Sequence, residues 1–138
     1  MKTQNKKVAF MVIIALFIQV NAWAKDKTAW TFSKTTDNVD LYYSIGSCKG
    51  EQVVFLKFVN HNKTNVSISW KDVLQTQTGS GEKAFRGIQN LILAPGVTMN
   101  EDCSANHIPA CILRSTEVSL THRVEIRKFD FENVTVIK

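Results

Sequence analysis

The sequence predicts an all-β, single-domain antiparallel β-sandwich of roughly seven strands over residues 25–138. Three observations carry that expectation. Apolar and polar residues alternate with period two in segment after segment. Clusters of turn-forming residues recur about every ten positions, the cadence of a sandwich or barrel. Beyond the first 24 residues no stretch carries the 3.6-residue apolar period of a long helix.

The strands follow in order. Trp30 and Phe32 alternate with Thr31 and Ser33, and Val39, Leu41 and Tyr43 with Asp40 and Tyr42. Val53-Val54-Phe55-Leu56-Lys57-Phe58-Val59 is almost continuously apolar, the pattern of a central strand covered on both sides. Asn60 to Asn65 is a polar turn, after which Val66, Ile68 and Trp70 face one way and Ser67 and Ser69 the other. Gly79-Ser80-Gly81-Glu82-Lys83 reads as a flexible loop. Ile88 to Leu93 is a strand stopped by Ala94-Pro95-Gly96, a type II turn signal. Asn100 to Ala110 is polar and irregular. Val118 and Leu120 open the next strand, which continues through Val124 and Ile126 to Phe129, Phe131, Val134 and Val136. The apolar phase slips at Arg127-Lys128 and again at Glu132-Asn133. A one-residue slip turns a core face outward, so a bulge or break is expected at each place. The expected core is Trp30, Val54, Leu56, Phe58, Val66, Ile68, Trp70, Leu91, Leu93, Val124 and Ile126.

Residues 1–24 read as a cleavable secretory signal peptide. Lys2, Lys6 and Lys7 precede an unbroken apolar run from Val8 to Ile18, and Ala22-Trp23-Ala24 is an A-x-A cleavage site. The run falls short of the ~20 residues that span a bilayer, and no lipobox precedes Cys48, so no membrane anchor is expected after cleavage. The expected location is periplasmic or extracellular. Three of the 17 basic residues belong to this segment, which leaves 14 against 12 acidic ones. With so little net charge and no focused basic face, nucleic acid is not an expected partner.

The stretch Val53 to Trp70, with Phe58-Val59-Asn60-His61-Asn62 leading into Val66-Ser67-Ile68-Ser69-Trp70, and then Leu93-Ala94-Pro95-Gly96, resembles the small exported immunoglobulin-like sandwiches common in Bacteroidetes. The resemblance covers a third to a half of the mature chain. It implies an immunoglobulin-like fold and transfers no catalytic residue.

Three cysteines in an exported chain imply one disulfide and one thiol left over. The expected pair is Cys103–Cys111, which would staple the irregular loop between them and add ~2–3 kcal/mol. The alternative joins Cys48 to one of the two. A sharper alternative is metal: Cys103, His107 and Cys111 are spaced C-x3-H-x3-C, a soft ligand set suited to copper or zinc. Pro109 breaks the helix that would align them, and export favours oxidation of the thiols, so no metal and no cofactor is the expectation.

Catalytic patterns are sparse. His61, His107 and His122 lie in or beside predicted loops, no G-x-S-x-G elbow is present, and Gly79-Ser80-Gly81 lacks the Lys-Ser/Thr pair of a phosphate loop. Adjacent Glu101 and Asp102 would diverge on a strand. The sequence therefore points to a non-enzymatic exported binding or accessory module whose partner is another exported or cell-surface protein. Its candidate recognition residues are Ser80, Glu82 and Lys83 in one loop and Asn106 and His107 in the other, since loops on a sandwich carry recognition. Ser80-Gly81-Glu82-Lys83 is also faintly similar to the loop with which small periplasmic β-proteins block lysozyme. That similarity makes an inhibitor of an exported hydrolase an alternative, and a copper or zinc carrier through the Cys/His loop is a further one.

Overall fold

A computed structural model describes residues 29–138 except positions 79, 101, 105–107, 120 and 122; over 80–85 it describes the backbone. The signal segment expected at residues 1–24 thus lies outside the described residues.

The described residues are all-β, with eight strands among them: β1 (Thr31–Thr36), β2 (Val39–Cys48), β3 (Glu51–Asn60), β4 (Val66–Thr76), β5 (Ser80–Leu93), β6 (Gly96–Met99), β7 (Ile112–Arg114) and β8 (Ile126–Ile137). They form two antiparallel sheets. The first runs β1-β2-β3, with β6 and β7 both pairing along the far side of β3; the second runs β5-β4-β8. The two hairpins of the first sheet close through Asp37-Asn38 and Lys49-Gly50. All four residues sit at positive φ, the geometry that a tight two-residue hairpin demands. At Ala94-Pro95-Gly96 the chain leaves the second sheet for the first, with Gly96 at φ +99° as the turn signal requires.

The core lies between the sheets. Val54, Leu56 and Phe58 of β3 meet Ile68, Trp70 and Leu74 of β4 and Phe129 and Phe131 of β8. Phe58, Trp70, Phe129 and Phe131 contact one another with tilted or edge-on rings, an arrangement favoured by the ring quadrupoles. The expected core residues are buried there with two exceptions: Leu91 is partly buried at its margin, and Trp30 belongs to a different cluster. β3 is central, as its apolar run implied, and is covered on both faces around Val53 to Leu56. Its outward Val53 and Phe55 pack with Cys48 and Ile112, with Trp30 and Cys103 partly buried against them.

Both slips expected in the last strand are present. The β4–β8 register shifts between Ser69 and Lys71, opposite Asn133 at φ +51°, and between Gln75 and Thr76, opposite Arg127. Two expectations need correction. Residues 80–83 are not a free loop: Ser80, Glu82 and Lys83 pair in register with Gln75, Leu74 and Val73. No strand begins at Val118. The chain instead makes short 3-10 turns at Pro109–Cys111 and Ser115–Glu117, and Val118 and Val124 plug the core from an irregular segment before β8 starts at Ile126.

Candidate functional site

The outer face of the first sheet carries the most unusual chemistry. On a pleated strand alternate residues share a face. With Val39, Leu41 and Val54, Leu56, Phe58 turned to the core, Asp40 and Tyr42 of β2 and Lys57 and Val59 of β3 face outward. Register places Phe32 beside Tyr42, Tyr42 beside Lys57, and Lys57 beside Met99. Strands lie about 4.8 Å apart, so this row crosses about 14 Å of sheet. The Lys57 ammonium sits 4.2 Å from the centre of the Tyr42 ring and 5.0 Å from that of Trp30. Phe32 packs edge-on to Tyr42 at 5.4 Å and remains 54% exposed. Val97, paired with Val59 one row along, is also exposed. The result is an aromatic strip with a cation lodged among its rings.

The ionic neighbours of the strip are already matched. Asp40 accepts a 2.5 Å hydrogen bond from the Thr35 hydroxyl and lies 2.7 Å from His61 Nε2. These two contacts, Thr35 first, hold its carboxyl below the usual carboxylate range. Because Thr35 gives its proton to Asp40 and not to His61, the three do not form a nucleophile–base relay. At the other end of this face Glu51 lies 3.6 Å from Arg114 Nη1. Lys57 has no carboxylate partner among the described residues.

A second concavity, an open cleft of about 1070 Å³, lies at the Lys49-Gly50 end of the sandwich and includes Gly46, Gly50, Glu51, Gln77, Thr116 and Arg123 in its lining. Its polar groups are turned on one another. Glu51 accepts from the Thr116 hydroxyl and amide at 2.8 and 3.2 Å and from the Ser115 hydroxyl at 3.4 Å. Burial pushes the Glu51 carboxyl up, but these donors and Arg114 outweigh it and leave it lowered. Gln77 bonds the backbone of Arg123 and Glu125.

The cysteines correct the expected staple. The bridge joins Cys48 to Cys103, with Cα atoms 5.7 Å apart, and Cys111 is free and buried. Cys48 ends β2 on its outward face, and Cys103 lies over that same face. Cys111 points to the opposite side, into the main core, where burial pushes its thiol up to about 12. Cys103 and Cys111 therefore sit on different faces of the first sheet, so the short bridge is not formed and the two sulfurs do not converge on one ligand position. Asn106 and His107 lie outside the described residues, as do the side chains of Ser80, Glu82 and Lys83. Asn100 and Ile108, which precede and follow Asn106 and His107, are joined: the Asn100 side chain donates to Ile108 O and accepts from Ile108 N.

Sequence reasoning also missed a buried ion pair on the inner side of the second sheet. Asp72 is fully buried, and Arg86 meets it with two hydrogen bonds, Nε at 2.6 Å and Nη2 at 3.1 Å. Trp70 Nε1 donates to the same carboxylate at 3.0 Å, and Arg86 Nη1 reaches Ile112 O at 2.8 Å, across to the first sheet. A signal was present: continuing the alternation from Val66 through Ile68 and Trp70 puts Asp72 on the inner face.

No family model, curated protein or solved structure matches the chain. Among the described residues no helix is long and apolar enough to cross a membrane.

Proposed function

We propose that the chain is an exported, non-enzymatic binding module that recognises its ligand on the outer face of the first sheet, not through its loops. One observation carries this reading: Phe32, more than half exposed, and the partly buried Trp30 and Tyr42 line the outer face of the first sheet around Lys57, outside the main core between the sheets. An aromatic ring left more than half exposed on a strand stabilises little, so Phe32 at the head of this row is better explained by recognition. Export is supported by the A-x-A signal pattern and by the Cys48–Cys103 bridge, which belongs to an oxidising compartment. A binding role is supported by the way the polar side chains around Asp40 and Glu51 are engaged with one another and offer no exposed nucleophile–base pair.

Trp70 is buried, so a ligand arriving on the strip changes the fluorescence of Trp30. The mature protein is titrated against envelope polysaccharides, peptidoglycan and exported hydrolases, lysozyme among them. The expected result is a saturable change with one class, no turnover of it, and at least a tenfold loss of affinity in Phe32→Ala. Binding that Phe32→Ala leaves intact, or silence across the panel, overturns the reading.

A further inference from the structure

The ligand class can be read from the mismatch of charge on this same face, an inference that rests on the binding reading above. We propose that the strip binds an acidic polysaccharide, a chain of pyranose units bearing carboxylates, with Lys57 as the carboxylate-binding residue and Phe32 and Tyr42 as the stacking surface.

Three properties select that occupant. The first is charge. Among the described side chains of this face, Asp40 is matched by Thr35 and His61 and Glu51 by Arg114. Lys57 alone contacts only rings. Its ammonium carries three donors, and a ring face satisfies the charge without accepting a directed bond as a carboxylate does. An incoming carboxylate adds the directed bonds that the rings lack and breaks no ion pair among the described residues.

The second is shape. The strip is flat and about 14 Å long across four strands. With Val97 and Met99 beside it, the half-covered side chains offer on the order of 400 Å² of mostly apolar surface. A stable protein interface needs about 800 Å² from each partner. A narrow extended chain fits the smaller area, and a globular partner does not.

The third is ring chemistry. The C–H face of a pyranose carries partial positive charge on its hydrogens and is drawn to the negative face of an aromatic ring. Phe32, more than half exposed, presents such a ring one residue from the cation. Sugar stacking and carboxylate capture thus fall within one row of the sheet.

The probe is polygalacturonate, titrated into the disulfide-bonded mature protein at about 0.15 M salt. Its carboxyl-reduced form and poly-glutamate of equal charge serve as comparisons. Saturable binding to polygalacturonate is expected, at least tenfold tighter than to either comparison polymer. Lys57→Met keeps the aliphatic stem and removes the charge, and is expected to cut affinity about tenfold. Ile92→Ala, on the second sheet, is expected to leave it unchanged. Equal binding of the carboxyl-reduced polymer, or indifference to Lys57→Met, overturns the anionic assignment while loss in Phe32→Ala still upholds the binding face. Equal binding of poly-glutamate overturns it in favour of an acidic peptide. Absence of polygalacturonate binding by folded protein, verified by circular dichroism and an intact bridge, also overturns it, and the wider panel above then decides whether the binding reading survives.

Discussion

At the scale of single residues, the costliest placement is Asp72. Its position in the alternation of β4 forces a carboxylate into the core, and the fold meets it with Arg86 and the Trp70 indole. Desolvating two charges rarely gains net stability, but removing one of them strands the other. Arg86→Met is therefore expected to cost about 3–5 kcal/mol, a large share of a total that runs to about 5–15 kcal/mol for a domain. The urea midpoint of the purified protein measures it. Adding Asp72→Asn to that variant removes the stranded charge and still leaves an oxygen for Trp70, so the double variant is expected to recover most of the loss. A double variant no more stable than the single one would mean that Arg86 acts chiefly through its bond to Ile112 O.

At the scale of elements, the bridge decides how the region after β6 sits. Cys48–Cys103 spans 55 positions and ties an irregular segment to the end of β2. By the chain-entropy estimate, opening a loop of that length costs about 4 kcal/mol. Cys103→Ala is expected to lower the urea midpoint accordingly. Non-reducing peptide maps of the native protein should show Cys48 joined to Cys103, with Cys111 alkylated only after denaturant is added. A map joining Cys103 to Cys111 would contradict the fold. This pairing was not legible in the sequence, because which cysteines share a face depends on where β7 docks against β3. The seams of β8 were legible, since a phase slip at Arg127-Lys128 or Glu132-Asn133 needs only local pattern to be seen. Residues 80–83 misled for the opposite reason. Their glycines suggest a loop, but the backbone pairs with β4 up to Lys83 with a one-residue shift at Gly81, and the larger irregularity falls later, at 84–87, where four residues face Asp72 without a register partner. The aromatic strip was half legible: Trp30, Phe32 and Tyr42 were placed on strands, but their outward direction needs the register with Lys57.

At the scale of the whole molecule, one carboxylate ties the edges of the two sheets together and two more brace the first sheet. Asp130 of β8 accepts from Ser33 of β1 at 2.7 Å and lies 3.5 Å from Lys34, whose ammonium also donates to Phe131 O. Glu51 of β3 holds the Ser115–Glu117 turn, and Asp40 of β2 holds His61. Burial pushes Asp130 and Glu51 up, yet in both the hydrogen bonds and nearby cations win, and Thr35 and His61 lower Asp40. All three groups therefore hold their protons less tightly folded than unfolded. Their contribution is fully present above the ordinary carboxyl values of 3.8 for Asp and 4.5 for Glu, and is lost as pH falls through the lower folded values. The urea midpoint is expected to be nearly level from about pH 5 to 7 and to fall steeply below about pH 4. Asp130→Asn should lower the midpoint at neutral pH and flatten the acid slope, because one of the linked protons is gone. A variant whose acid slope matches that of the parent would place the acid sensitivity elsewhere, and would leave the β1–β8 seam to the apolar core and the bond from Lys34 to Phe131 O.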